Sequence, residues 1–148
     1  PVIGGLSDRI GRRKPLYLAG AVVSLAGWAV LVYGPRLALP VLVVLVVLIG
    51  FSSGAMIVGF AFVKESVPPT ATGTVSGVCN MGVMMGPMIL QPAVGIVLDR
   101  RWEGMAAGGM RLYSLDAYQA GFTLMIGWAA AAVLLLALTE ETFCRQRP

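Results

Sequence analysis

Histidine is absent from the 148 residues, cysteine occurs only twice, and charged residues make up 12% of the chain. The cysteines, Cys79 and Cys144, lie far apart in the sequence and indicate no disulfide framework, and without histidine the usual zinc-ligand spacings are missing. We therefore expect no metal and no cofactor. With 57% hydrophobic residues, the chain is too apolar to cover its own surface as a soluble domain, so we expect it to lie in a lipid bilayer.

Signatures of catalysis and of nucleic-acid binding are missing as well. The sequence contains neither the phosphate-binding pattern Gly-x-x-x-x-Gly-Lys-[Ser/Thr] nor Gly-x-Ser-x-Gly, and it has no histidine to act as a base. We expect no enzyme. The net charge of +4 comes from basic residues that flank apolar segments without interleaved aromatic residues, which favours membrane edges over a nucleic-acid partner.

Four uncharged apolar segments are predicted to cross the bilayer as helices, namely residues 16–33, 39–63, 73–98 and 120–138. At a rise of about 1.5 Å per residue the shortest of them spans roughly 27 Å of hydrocarbon. The second is rich in valine, which would favour a strand in water, but in lipid a run of this length must satisfy its own backbone. The predicted class is therefore an all-α, polytopic membrane protein with four transmembrane helices.

The third segment carries the polar groups and prolines of most interest. Asn80 and Gln91 are eleven residues apart and fall within about 20° of each other on a helix, on the face that also carries Met84. They either bond neighbouring helices or line a polar substrate pathway, or Gln91 caps backbone groups freed by Pro92. Pro87 and Pro92 predict a kink, in either a moving helix or a static one.

Glycines four positions apart predict close helix packing at three places, Gly50 with Gly54, Gly73 with Gly77, and Gly82 with Gly86.

A polar stretch from Gly4 to Lys14 precedes the first apolar segment and is interpreted as a loop. Gly4, Gly5 and Gly11 are suited to left-handed backbone or to close approach of a helix. The charges that follow can cap a helix end, pair with a neighbour or face anionic lipid; they are Asp8, Arg9, Arg12 and Arg13.

The pattern Gly4-x-x-x-Asp8-Arg9-x-Gly11-Arg12-Arg13 resembles the signature cytoplasmic loop of the major facilitator superfamily, twelve-helix secondary transporters built from two six-helix halves. A second resemblance, to the loop and helix after the tenth span, covers Glu65-Ser66-Val67-Pro68-Pro69, Gly73-Thr74-Val75-Ser76-Gly77 and Gln91-Pro92-Ala93-Val94-Gly95. Together they imply that residues 1–148 are a fragment of the C-terminal half, roughly helices nine to twelve. The start at Pro1 favours the same interpretation, with the remaining N-terminal helices as partner.

The resemblance implies transport of a small-molecule solute by alternating access. It assigns a cytoplasmic gate to Gly4, Asp8, Arg9, Gly11, Arg12, Arg13 and Glu65, and implies that Glu65 pairs with Arg9 or Arg12. The predicted pathway residues are Asn80, Met84 and Gln91. No span has an Asp, Glu, Lys, Arg or His in its interior, which favours neutral or amphipathic solutes and argues against proton coupling through this part. The alternative is a small four-helix membrane scaffold or regulatory subunit.

Loop charges predict the orientation in the cell membrane. Seven basic residues fall on the side of the opening loop and four on the other side, so the positive-inside rule places the opening loop and the C-terminal tail in the cytoplasm. The first group is Arg9, Arg12, Arg13, Lys14, Lys64, Arg145 and Arg147, and the second is Arg36, Arg100, Arg101 and Arg111.

Overall fold

The structure, a computed structural model, describes residues 2–35 and 37–146. Within them, four helical segments are long and apolar enough to cross a membrane. These are Lys14–Tyr33, Leu39–Glu65, Pro69–Arg100 and Leu115–Leu138. The predicted all-α class with four membrane-spanning helices is confirmed.

The described residues form six α-helices, a single 3-10 turn and one small hairpin. The helices are α1 (Val2–Ile10), α2 (Lys14–Tyr33), α3 (Leu39–Ser53), α4 (Met56–Glu65), α5 (Thr72–Arg100) and α6 (Leu115–Leu138), and the 3-10 turn Pro69–Ala71 leads into α5. Each predicted span overlaps one membrane-spanning segment. The last helix begins at Leu115 instead of residue 120, because the Ser114 hydroxyl caps it by accepting a hydrogen bond from the Ala117 N–H.

The opening stretch is mostly helix, so its interpretation as a loop is wrong. Ile3, Leu6 and Ile10 recur at helical spacing, and the chain stays helical through Ile10. Gly11 alone of the predicted turn glycines has a positive φ, 69°, and its N–H bonds the Ser7 carbonyl 3.0 Å away. The turn between α1 and α2 is therefore confined to residues 11–13.

The second span is interrupted near its middle, between α3 and α4. Gly54 N–H bonds the Phe51 carbonyl at 3.1 Å and Ala55 N–H bonds the Ser52 carbonyl at 3.0 Å, which is the tighter 3-10 pattern. Ala55 is only 2% exposed. The interruption is therefore a packed feature of the interior and is not a frayed end.

Helix α2 is the central element, since it packs against α3, α4 and α6. Two glycines let its neighbours approach closely. A Cβ at Gly20 would collide with the Ala55 Cβ, and a Cβ at Gly27 would lie 2.5 Å from Ile49 Cγ1. Small residues thus bring these backbones together where lipid supplies no hydrophobic driving force between helices.

The predicted glycine pairs contact other helices at only two of their six positions among the described residues. A Cβ at Gly54 would lie 3.6 Å from Ile3 Cδ1, and a Cβ at Gly86 would lie 3.9 Å from Trp128 Nε1, both ordinary contacts. A Cβ at Gly50, Gly73, Gly77 or Gly82 would meet nothing within 4 Å. The tightest approaches of helices occur at other glycines, namely Gly20, Gly27, Gly59 and Gly121. Spacing alone does not say which helix face meets a neighbour.

A β-hairpin lies in the connection between α5 and α6. Strand β1 (Ala106–Ala107) pairs antiparallel with β2 (Met110–Arg111). Gly108 and Gly109 both have positive φ, 57° and 79°, as a two-residue type I′ turn requires.

Side chains tie this hairpin to the end of α5. The Asp99 carboxylate accepts hydrogen bonds from Arg111 Nη1 and from the Tyr113 hydroxyl, each at 2.7 Å. The Arg111 guanidinium also lies 4.7 Å from the centre of the Trp102 ring. The connection is therefore an ordered cap on one end of the bundle.

We predict that Gly20→Ala destabilises the bundle by about 1–3 kcal/mol, the usual cost of overpacking. The new methyl group would meet the Ala55 Cβ and the Ser52 carbonyl, which cannot rotate away as the end of a flexible side chain can. Thermal unfolding of the purified chain in detergent measures the effect. Gly50→Ala is the matched control because its Cβ meets nothing within 4 Å; equal melting temperatures for the two variants would contradict the packing described here.

Candidate functional site

A cluster of charged and hydroxyl side chains lies at one end of the bundle, where α1 ends, α2 begins, and α4 and α6 end. Arg13 stands at its centre, in the turn that the αL residue Gly11 makes possible. We call this group the Arg13 cluster; its members are Ser7, Asp8, Arg13, Glu65, Glu141 and Thr142.

The Arg13 guanidinium joins three segments of the chain. Its Nε and Nη2 donate to Glu65 Oε1, at 3.0 and 2.9 Å, and its Nη1 donates to Asp8 Oδ1 and, at 3.2 Å, to the Ser7 hydroxyl. The Ser7 hydroxyl, which is fully buried, donates in turn to the Arg12 carbonyl at 3.0 Å. One side chain therefore links α1, α2 and α4.

The two ion pairs of Arg13 differ in strength. The Arg13 and Glu65 side chains are 12% and 14% exposed, whereas Asp8 is 64% exposed. Water screens the Asp8 pair, and pairs of that kind contribute less than about 1 kcal/mol. The hydrogen bond to Glu65 is the main reason why the pKa of Arg13 lies above its ordinary value. Arg13 and Glu65 thus form the stronger half of the cluster.

The prediction that Glu65 forms an ion pair with Arg9 or Arg12 is wrong. Glu65 pairs with Arg13 and not with Arg9 or Arg12. Arg12 instead places its guanidinium 5.8 Å from the centre of the Phe143 ring. The reason is that α1 remains helical as far as Ile10, so Arg9 stays on that helix and the turn brings Arg13 to α4.

Glu141, beyond α6, caps the first turn of α2. Its Oε1 accepts from the backbone N–H of Arg13 at 2.9 Å, and both its oxygens accept from the N–H of Lys14, at 3.3 and 3.2 Å. Arg13, the N-cap residue of α2, supplies no side-chain cap of its own. A carboxylate at this position satisfies unpaired N–H groups and complements the positive end of the helix dipole.

Lys14 makes the complementary contact at the other helix. Its Nζ donates to the carbonyl oxygens of Ala137 and Thr139, at 2.8 and 2.6 Å, at the C-terminal end of α6. The two antiparallel helices therefore cap each other, with an anion on the N-terminus of α2 and a cation on the C-terminus of α6.

The predicted pathway residues lie on α5, away from the Arg13 cluster. Asn80, Met84 and Gln91 are all exposed, Met84 to 59%. Gln91 lines a cavity of about 550 Å³ between α5 and α6, together with Pro87 and Trp128. Asn80 and Met84 are not among its lining residues. Helix α5 continues through Pro87 and Pro92, and the kink remains a prediction.

The sequence profile of the Major Facilitator Superfamily matches residues 1–147. The chain belongs to the Major Facilitator Superfamily. No curated protein and no solved structure matches it. Members of this superfamily are membrane transporters that handle small-molecule solutes, so family membership favours the transporter over the scaffold alternative. In the part of the chain that the structure describes, no group of acidic residues and cysteines could hold a metal ion.

The sequence analysis did not predict that the segment after α6 contributes to the Arg13 cluster. The C-terminal tail was predicted only to lie in the cytoplasm, whereas its residues Glu141 and Thr142 contact Arg13 and Glu65 of the predicted gate. A signal was present, because the acidic pair Glu140 and Glu141 follows the last span on the same side as the basic opening stretch. Opposite charges at adjacent helix ends favour contact.

The pKa of Glu141 reflects two opposing influences. Burial is the largest individual influence, and it raises the pKa. The hydrogen bonds from the N–H groups of Arg13, Lys14, Phe143 and Thr142 together outweigh burial and hold the pKa of Glu141 below its ordinary value. A carboxylate with a lowered folded-state pKa stabilises the fold above its unfolded-state pKa, and this stabilisation is lost as the pH falls through the folded-state value.

We therefore predict that Glu141→Gln lowers the melting temperature at neutral pH, by an amount equivalent to about 0.5–2 kcal/mol for a helix cap. The difference from the unmodified chain should persist down to the ordinary carboxyl pKa of 4.5 and shrink below it. Thermal unfolding in detergent across this pH range measures it. Glu103→Gln, an identical change on the exposed connection, should show neither effect. A Glu141→Gln difference that grows on acidification would refute the capping role.

Proposed function

We propose that this chain is part of a secondary active transporter that moves a small-molecule solute by alternating access, and that the Arg13 cluster is its cytoplasmic gate. The observation that carries the proposal is the Arg13 guanidinium, which holds α1, α2 and α4 together at one end of the bundle. Alternating access requires such a contact on each side of the solute site in turn, because the two halves of a transporter rock around it.

The geometry suits a contact that is made in one conformation and broken in another. Arg13 and Glu65 are mostly shielded from water while paired, so their bond is stronger than a surface ion pair. When the helices separate, water can solvate both groups and offset the loss of the pair. Asp8, already exposed, provides a weaker contact on the water side.

Charge supports the placement of this end in the cytoplasm of the cell. The exposed residues Arg9 and Arg12 flank the cluster, and Lys14 and Lys64 lie at the same end. Basic residues near the ends of spans favour the cytoplasmic side. The hairpin between α5 and α6 then lies outside.

The four spans correspond in this proposal to helices nine to twelve, within the C-terminal six-helix half. Helix α5 supports it, since Gly86 is its only buried residue among those described and large side chains such as Met81 and Met88 stand 65% and 72% exposed. A helix with so little cover in this chain is suited to contact with the remaining N-terminal helices of the transporter.

We place the solute pathway along α5, with Asn80, Met84 and Gln91 facing it. The cavity beside Gln91 is lined mainly by apolar side chains, with the Gln91 amide and the Trp128 indole as hydrogen-bonding groups. Among the residues that the structure describes, no charged side chain lines it. A pocket of this chemistry is suited to a neutral or amphipathic solute.

Arg13→Gln is expected to open the cytoplasmic side. The experiment uses the full-length transporter with Gln91→Cys as the only cysteine, in inside-out vesicles. It measures the rate at which a membrane-impermeant maleimide labels this cysteine from the cytoplasmic side. Loss of the guanidinium leaves the shielded Glu65 carboxylate without its ion-pair partner. We expect the labelling rate to rise about tenfold, which corresponds to roughly 1.4 kcal/mol.

Arg101→Gln is the matched control for this experiment, because Arg101 is exposed at the opposite end of the bundle. Faster labelling only in right-side-out vesicles would reverse the orientation. Unchanged labelling from both sides would contradict the gate.

The pathway assignment predicts which quenchers reach Trp128. In a full-length protein with Trp128 as its sole tryptophan, dissolved acrylamide should quench the indole fluorescence, and phospholipids brominated on their acyl chains should have little effect. This follows because a cavity on the solute pathway holds water, whereas a lipid-facing cavity holds acyl chains. The opposite pattern would place the cavity at the lipid boundary and remove Gln91 from the pathway.

A further inference from the structure

We infer that residues 139–146, which we call the clip, form a third side of the gate, in which Glu141 positions Arg13 and Thr142 positions Glu65. The inference rests on the proposed gate and adds to it a segment that the resemblance did not include. It follows from the identity of the residues to which the clip is hydrogen-bonded.

The clip contacts each segment of the gate. Thr142 donates its hydroxyl to Glu65 Oε2 at 2.6 Å, and Glu141 accepts from the N–H of Arg13 at 2.9 Å. Cys144 Sγ lies 3.8 Å from the Ser7 carbonyl of α1. Gln146 Nε2 donates to the Val67 carbonyl, just beyond α4, at 3.3 Å. The clip therefore spans the junction that the gate must open.

The two carboxylate oxygens of Glu65 bind different partners, one of them Arg13 and the other the clip. Arg13 bonds Oε1, and Thr142 bonds Oε2. This arrangement fixes the rotation of the carboxylate and presents Oε1 to the guanidinium. Thr142 is 8% exposed, so its hydroxyl competes with little water for this bond.

Glu141 acts on the other partner through the backbone. It fixes the N–H of Arg13 and of Lys14, and thereby the direction in which the Arg13 side chain leaves the first turn of α2. Glu141 and Thr142 are adjacent, so movement of the clip would release both partners of the ion pair together.

The backbone of the clip is strained where it bends. Phe143 and Cys144 have φ values of 53° and 54°, the left-handed conformation that residues with a side chain seldom adopt, and here it occurs twice in succession. Such a conformation persists only where surrounding contacts hold it. Loss of those contacts would favour a different backbone, which makes the clip suited to release when the gate opens.

The first test uses the thiol of Cys144 as a reporter of clip docking. In the full-length transporter with Cys144 as its only cysteine, we expect Thr142→Val to increase the rate of maleimide labelling about fivefold, because one shielded hydrogen bond is lost without a change of charge. Thr142→Ser keeps the hydroxyl and should restore the original rate. Equal rates for the valine and serine variants would overturn the inference.

The second test addresses Glu141 with a different readout. Burial is the main cause that raises the pKa of the Cys144 thiol, and the Glu141 carboxylate adds to it, so removal of Glu141 would change labelling even from a docked clip. Tryptic cleavage after Arg145, measured by mass spectrometry of the full-length protein, avoids this difficulty. Cleavage should be about fivefold faster in Glu141→Gln and unchanged in Glu103→Gln, the matched control; equal cleavage in the two would overturn the role of Glu141.

The third test separates positioning from docking. In the Gln91→Cys accessibility assay, with Cys144 replaced by serine, Thr142→Val should increase labelling from the cytoplasmic side when Arg13 is present and add nothing in the Arg13→Gln background. If Thr142→Val loosens the clip but leaves the labelling rate of Gln91→Cys unchanged, the positioning role is overturned. If Arg13→Gln itself has no effect, the gate proposal fails, and the Cys144 and tryptic rates still decide whether Thr142 and Glu141 hold the clip.

Discussion

The hydrocarbon of the bilayer imposes the constraint on which this structure depends, because every backbone polar group inside it must be bonded within the chain. The spans meet most of the requirement as helices, and they leave unpaired N–H and carbonyl groups mainly at their ends; Pro87 and Pro92 free two further carbonyls inside α5. Polar chemistry is therefore concentrated at the ends of the bundle. Glu141 and Lys14, which cap α2 and α6 reciprocally, satisfy part of that demand.

The same end groups serve two purposes in this member of the Major Facilitator Superfamily. The contacts that complete α2 also set the position of Arg13, which lies one residue before that helix. Glu65 also accepts a hydrogen bond from Thr142, in the segment after α6. Stability of the helix ends and geometry of the proposed gate thus depend on the same few side chains, so substitutions there are expected to affect both.

The spans could be predicted from the sequence because long uncharged runs leave few alternatives to a transmembrane helix. The interruption at Gly54 could not, since it depends on the packing of Ala55 under Gly20. The resemblance assigned both Arg13 and Glu65 to the proposed gate, but that Arg13 is the ion-pair partner of Glu65 depended on where α1 ends. The roles of Glu141 and Thr142 depend on contacts more than seventy residues apart in sequence. The acidic charge after the last span indicated the side of the bundle on which Glu141 lies, but no local pattern indicated the partner of either residue.

The interruption between α3 and α4 has a mechanical consequence for Glu65. The ten residues of α4 extend about 15 Å from the interruption to the ion pair, at 1.5 Å per residue. A tilt of about 10° at Ala55 would move Glu65 by roughly 2.6 Å on that lever arm. This displacement is comparable to the 2.9 Å between Arg13 Nη2 and Glu65 Oε1, so a small rotation deep in the bilayer is enough to break the contact at its surface.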